Sequence, residues 1–408
     1  MMRSVEQHLE VILNQIEPLE EFAIGLLESR GCVNAEDIVA PWPLPAFDTA
    51  AVDGYAVKVA DVAGASAELP IVLKVEDVIA VGDRPAGAVL NGTAVRVSAG
   101  APLPEETEAV IPLEFTDAGL SEVNIERAAV LSQYVRRRGE DIAEAELVLP
   151  AGQIMDPRAI GLLAAIGKSN VVARPRPRVV IVTIGAELLE PGAAVVPGKV
   201  VDSNGTMLAA AAAEAGASVY RIGPLAENLE NVRTVIEDQL VRADLVITVG
   251  GTGAGSYEMI KQVCGELGKV DYTRVAMQPG MAQGFGKIGL DNTPIFTLPG
   301  NPVAAFISFE IFVKPVIAKM MGYNSYHAVT RKAVVENSFY STLERKHYVR
   351  AVRVPGKQHV VRALDVQGTH LVASLARTDC LIVVPELVQE VRSGDTVEVI
   401  DLVDASVW

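Results

Sequence analysis

Between residues 178 and 325, apolar runs of strand length alternate with stretches in which apolar residues recur at helical spacing. VVIVTIG, SVYRIGPL, LVITVGG and PIFTL read as strands. SNGTMLAAAAAEAG, LENVRTVIEDQLVRA, Ser256 to Leu267 and AAFISFEIFVKPVIAKMMG read as helices. Strands alternating with helices predict parallel strands joined by right-handed crossovers, hence a central doubly wound α/β domain. Its pivot is Leu245 to Gly255, LVITVGGTGAG, a buried parallel strand that breaks into a glycine turn and continues as a helix.

The pattern changes on either side. Residues 5 to 40 read as helical, with Val5, Leu9, Ile12, Leu13, Ile16 and Leu19 on one face, until the proline-rich APWPLPAFD forces an extended chain. From about 46 to 145, short runs such as LPIVLKVEDVIAV, TAVRV, EAVIPLEF and SEVNIE predict a β-rich module. Asp156 to Ile166 reads as a helix capped by Asp156 with Pro157 in its first turn, and VVARPRPRVV marks the next boundary. After Gly322, VRAVRV, HVVRAL, LIVVPE and TVEVIDLV predict a small C-terminal β-barrel. The expected division is therefore a helical and linker part over 1–45 and 146–177, the β-rich module over 46–145, the α/β domain over 178–325 and the barrel over 326–408.

Composition excludes several classes of function. With 408 residues, half of them hydrophobic, the chain has material for several cores. No stretch of membrane-spanning length lacks charges or turn formers, and the start lacks a signal peptide's apolar region, which predicts a soluble cytoplasmic protein. Cys32, Cys264 and Cys380 lie far apart and the five histidines form no cluster, so the cysteines are expected to be buried thiols and a protein-ligated zinc site is not expected. A net charge of −16 argues against nucleic-acid binding. An anionic ligand would need local donors, helix N-termini or a bridging divalent cation.

Gly250, Gly251, Thr252 and Gly253 form a turn that lets backbone N–H groups approach a phosphate. A tight βα connection without a ligand explains a lone GGTG equally well. The second loop TLPGNPVAA, carrying Pro299, Gly300, Asn301 and Pro302, repeats the strand–turn–helix grammar. Two such loops on neighbouring parallel strands would face one crevice.

The motifs FDTAAVDGYAV, GAPLPEETEAVI, VRRRGEDI, IGAELLEPG, VDSNGTML, VGGTGAGSYE, PGM…FGK and LPGNPVAAF occur in the order seen in the MoeA family, which includes the gephyrin E domain. The chain resembles these molybdopterin molybdotransferases over nearly its whole length. The resemblance implies an elongated four-domain homodimer whose active site lies between the α/β domain of one subunit and the β-rich module of the other. It also implies the reaction: adenylylated molybdopterin and molybdate enter, AMP is released with magnesium, and molybdenum is inserted into the dithiolene. Other molybdenum-cofactor proteins would be possible partners.

That chemistry needs a divalent cation and carboxylates to hold it. Glu187 and Asp202, at predicted C-terminal strand ends, are the expected magnesium contacts. Capping of the next helix by Asp202 or Ser203 is the simpler alternative. Ser203 and Asn204 could donate to phosphate or pterin. Asp53 and Asp141 match family acidic positions and, with Glu187 and Glu258, make up the expected catalytic carboxylates. Asp202, Ser203, Asn204, the GGTG turn and Pro299 to Pro302 are the expected substrate contacts.

Several positions depart from the family pattern. GGVSVG is here GGTGAG, Glu258 and Glu227 replace aspartates, and Ala99 replaces a threonine. The two lysines of KPGKP are Gln278 and Met281, and the serine after PGNPV is Ala304. The resemblance assigns those three positions to molybdate, so two charges and a hydroxyl are missing there, with Lys287, Arg274 or Arg350 as candidate substitutes. The leading reading is a molybdopterin molybdotransferase. The alternative is a non-catalytic cofactor-binding or scaffold protein that has lost the molybdate site.

Overall fold

The computed structural model describes residues 2–250 and 254–402, and of residues 254–257 the backbone alone. The chain divides into two compact units, 36–170 and the combination of 1–35 with 171–408.

The larger unit is built on a six-stranded sheet. Ser218–Leu225, Arg178–Ile184, Leu245–Gly250 and Thr293–Leu298 lie side by side in that order and run parallel. Val179 and Ile181 point to one face, where they meet Leu208 and Ala212 of the Asn204–Glu214 helix and Phe309, Phe312 and Ile317 further on. Val180, Val182 and Ile184 point to the other, against Val232 and Ile236 of the Leu229–Leu240 helix and Ile260 and Val263 of the Ala254–Leu267 helix. Both faces are thus covered by helices, as a parallel sheet requires. Each buried aliphatic side chain contributes about 1.5–3 kcal/mol.

Two further strands, Ala282–Ile288 and Gly268–Arg274, extend the sheet antiparallel, where parallel pairing was expected throughout. The pattern hides them for physical reasons. The Ala254–Leu267 helix runs directly into Gly268 without a turn, and AQGFGKI carries glycines that look like a loop. Those glycines instead admit close neighbours: a Cβ at Gly286 would lie 2.1 Å from the Lys269 carbonyl oxygen.

The predicted N-terminal helix is also shorter. It covers Val5–Leu13, opened by a Ser4–Gln7 capping box and ended at Asn14, and strands Phe22–Gly25 and Val33–Asn34 follow. Ile16 keeps the apolar spacing and is buried, but Pro18 lacks the N–H a helix needs. The helix packs into the α/β core through Val5, Ile12 and Leu13.

Strands Lys346–Arg353, Val360–Ala363, Thr330–Val335, Thr396–Asp401 and Cys380–Val384 pair in sequence, and the last returns to the first. The result is a closed barrel with no free edge in the ring. Met277–Gln278 of the α/β domain pairs in parallel with the start of its Lys346 strand.

In the smaller unit, Ala109–Pro112, Gly54–Val57, Thr93–Val97, Ile71–Ile79 and Glu122–Ile125 form one sheet in that order. Alternation along its strands feeds two clusters, Tyr55, Val57 and Ala94 on one side, Ala56, Val95 and Val110 on the other. Pro157–Ala165 forms the helix capped by Asp156, whose Oδ1 accepts the Arg158 and Ala159 N–H groups. The three cysteines are buried thiols. Among the described residues, no helix is long and apolar enough to cross a membrane.

Candidate active site

The Arg178–Ile184 strand lies between its two successors. One crossover leads outward to Ser218–Leu225 by the Asn204 helix; the next returns over the opposite face to Leu245–Gly250. Connections therefore diverge between Ile184 and Gly250, which face each other in register. In open α/β sheets this is where ligands bind. Thr293–Leu298, the neighbouring parallel strand, delivers the PGNP turn to the same end of the sheet.

Gly250 makes the first turn possible. Its φ is +100°, and a Cβ there would lie 2.2 Å from the Ile184 carbonyl oxygen. Gly250→Ala is expected to destabilise the fold by about 1–3 kcal/mol through strain and clash. Calorimetry should show a lowered Tm together with weakened ligand binding at the crevice; unchanged values would remove this turn from the site. Gly251, Thr252 and Gly253 lie outside the described residues.

Asp202 is 1% exposed, and its oxygens have protein partners. Oδ1 accepts the Gly205 N–H at 2.9 Å, and Oδ2 accepts from Arg221 Nη1 at 3.0 Å. Asp202 therefore caps the next helix; the Ser203 side chain makes no capping bond. Arg221, which also pairs with Glu190, holds this loop and was not among the residues singled out from the sequence. Asn204 donates from Nδ2 to the Gly300 carbonyl at 2.6 Å, tying the VDSN segment to the PGNP turn, while its buried Oδ1 has no hydrogen-bond partner. Asn301 precedes the Pro302–Ser308 helix without a side-chain cap, and the Val303 N–H is taken by the Thr369 carbonyl. Pro299 and Pro302 bracket this turn.

Glu187 is exposed just beyond the Arg178–Ile184 strand, with its carboxylate over Gly185, where a Cβ would come within 2.8 Å of Oε2. Glu258 is exposed on its helix and accepts from Lys261 Nζ at 3.3 Å. Among the described residues, no three His, Cys, Asp or Glu side chains gather as metal ligands would.

The segment from Gln278 to Met281 sits against the helix that follows PGNP. Gln283 is buried and donates from Nε2 to the Gly280 carbonyl at 2.6 Å and to Ser308 Oγ at 2.7 Å. Ala304 lies one helical turn before Ser308, so the three substituted positions share one region. Each of the two former lysine positions has an arginine beside it. Arg345 Nη1 donates to Gln278 Oε1 at 3.3 Å, brought there by the strand pairing at Lys346, and Arg274 Nη2 lies 3.3 Å from Met281 Sδ across the antiparallel pair. Arg345 was not among the candidates. Its signal in the sequence was the charged ERK run before a strand, which means nothing until the barrel docks. Arg350 is spent elsewhere: it is 1% exposed, donates to the carbonyls of Leu371, Val366 and Gly368, and burial pushes its pKa down. Lys287 pairs in register with Lys269 on the antiparallel extension and Pro294 on the other side.

In the smaller unit, Asp53 accepts the Ala99 N–H at 2.8 Å, which links the DGY motif to the turn before GAP. The RRRGED segment is bound to the FDT segment. Val135–Arg136 pairs with Thr49–Ala50, and Asp48 accepts from Arg137 Nη1 at 2.6 Å and from the Arg138 N–H at 2.7 Å. Burial opposes ionisation of Asp48, but those donors hold its carboxyl below the usual value. Asp141 is exposed, its N–H bonded to the Leu44 carbonyl.

A doubly wound sheet whose Gly250 and Leu298 strand ends lie at the switch point, together with a closed barrel paired to the Met277–Gln278 segment, defines a multidomain α/β protein with a candidate crevice at those strand ends. Three family descriptions match the chain in order: MoeA N-terminal region (domain I and II) over 3–167, probable molybdopterin binding domain over 180–319, and MoeA C-terminal region (domain IV) over 332–402. It is 37% identical over 407 residues to molybdopterin molybdenumtransferase 2 of Mycobacterium tuberculosis strain H37Rv, covering 98% of this chain and 100% of that one. Molybdopterin molybdenumtransferase of Bacillus subtilis is 31% identical, covering 92% and 89%. The crystal structure of the molybdopterin biosynthesis MoeA protein from Pyrococcus horikoshii superposes with a TM-score of 0.82 at 28% identity, covering 99% and 100%. The chain belongs to the MoeA family.

Proposed function

We propose that this protein is a molybdopterin molybdenumtransferase that takes adenylylated molybdopterin and molybdate, releases AMP and inserts molybdenum into the dithiolene. The observation that carries the reading is the pair of arginines, Arg345 and Arg274, beside the two positions where the family's lysines are replaced. An oxyanion needs cationic donors, and guanidinium groups supply them in fork geometry.

In this reading the switch-point turns receive the phosphates, and Asn204 and the PGNP turn form the adjoining wall. Magnesium commonly binds through one or two carboxylates plus substrate phosphates. Glu187, exposed at a strand end, fits that role; Asp202, already held by Arg221, positions the loop instead. Magnesium held there would neutralise charge developing on the phosphoanhydride. Glu258 keeps an exposed carboxylate on the Ala254–Leu267 helix. Asp53 and Asp141 would act on the crevice of a partner subunit, in a cytoplasmic homodimer, as family resemblance suggests.

The test is turnover of purified protein with adenylylated molybdopterin, magnesium and graded molybdate. Expected are AMP release and active cofactor, both rising with molybdate. Tight binding of the adenylate with neither product would sink the transferase reading in favour of a cofactor-binding scaffold.

A further inference from the structure

A cavity of about 750 Å³ opens beside the Val354–Val360 turn of the barrel. Its charged lining residues, Arg331, Arg353 and Lys357, are all cationic, with Gln358 and His359 next to them. In a chain of net charge −16 that is a local reversal of sign. Asp401 accepts two bonds from Arg331, at 2.5 and 2.8 Å, and the same carboxylate is the acidic partner of Arg353. One carboxylate thus serves two guanidinium groups. Arg353 Nη2 forms an ion pair with Asp401 Oδ1 at 2.7 Å, and its buried Nε has no acceptor. Lys357 bonds Glu336 at 2.9 Å, and the Arg353 backbone N–H bonds Asp379.

Buried N–H groups in native proteins nearly always have an acceptor, often water or an ion. Here a guanidinium N–H without an acceptor, a cationic lining and a small-molecule-sized cavity coincide on Arg353. We propose that this cavity binds a phosphate-type oxyanion, held by Arg353 and Arg331 and approached by the exposed Lys357 and His359. The site is separate from the crevice at the strand ends, since every residue lining it belongs to the barrel.

The test is a titration of the full chain with inorganic phosphate, followed by NMR on the His359 imidazole, whose signal is assigned with His359→Asn. This local readout is insensitive to oxyanions at the crevice. Expected is a saturable shift, with affinity lowered about tenfold or more in Arg353→Gln, the loss of a charge-assisted hydrogen bond. Lys357→Gln, at an exposed position, should weaken binding without risk to folding, so it decides the matter alone if Arg353→Gln does not fold. An unmoved His359 signal, or equal affinity in wild type and the Lys357→Gln variant, would overturn the proposal.

Discussion

Replacing Arg345 by Met lowers kcat/KM for molybdate by about ten- to a hundredfold, the loss of one charge-assisted hydrogen bond of roughly 1.5–3 kcal/mol. Arg274→Met has a similar effect, and the double variant falls further still. The reason is positional: the two guanidinium groups stand beside Gln278 and Met281, where the family carries ammonium groups. KM for adenylylated molybdopterin should change much less, because its phosphates are assigned to the turns at Gly250 and Gly300. The sharper check is rescue. Gln278→Lys introduced into Arg345→Met returns a cation to the same spot and should restore most of the lost activity. If the Arg345→Met enzyme keeps wild-type molybdate dependence, the proposed substitution of arginine for lysine is wrong.

The second large effect is loss of stability in mild acid, caused by two histidines, His8 buried and His347 half-buried. His8 is 2% exposed, with its ring edge-on to Phe312 at 4.9 Å and its Nδ1 accepting from Arg3 at 3.2 Å. Burial first, and the Arg3 charge second, push its pKa from 6.5 down to about 4, against a small opposing pull from Asp271. His347, whose Nδ1 lies 3.1 Å from Ser341 Oγ, is pushed to about 4 by burial. Both pKa values are lower folded than unfolded. From pH 6.5 down to about 4 the unfolded chain takes up protons the folded one refuses, so stability falls through that window. A shift of this size corresponds to as much as about 3 kcal/mol per histidine. Urea unfolding at about pH 7 and about pH 4.5 should show the drop, and the His8→Gln, His347→Gln double variant should show a clearly shallower one. An identical pH dependence in the two proteins would refute the assignment.

Both effects depend on groups whose meaning changes between chain and fold. Val179 to Ile184, Leu245 to Val249 and the amphipathic helices between them were legible because a doubly wound sheet repeats one local rule: strand residues buried on both faces, helices apolar on one. The two glycine and proline turns were legible for the same reason, since their position at the ends of neighbouring strands follows from that alternation. The capping role of Asp202 was readable as one of two alternatives; its second oxygen, held by Arg221 from a parallel strand, was not. Gly268 to Ile288 was missed because glycines that look like a loop are required by close strand packing.

By itself the sequence determined the alternating α/β core, the β-rich module, the C-terminal barrel and the family, since these depend on periodicity and ordered motifs along the chain. Only the tertiary structure decided which cations reach Gln278 and Met281. Arg345 is 67 residues from Gln278, and a strand pairing between the α/β domain and the barrel brings them together. Arg350, five residues further on, is instead buried on three backbone carbonyls. Local pattern fixes which way a strand's side chains alternate. Long-range pairing and burial then decide which partner each charge meets.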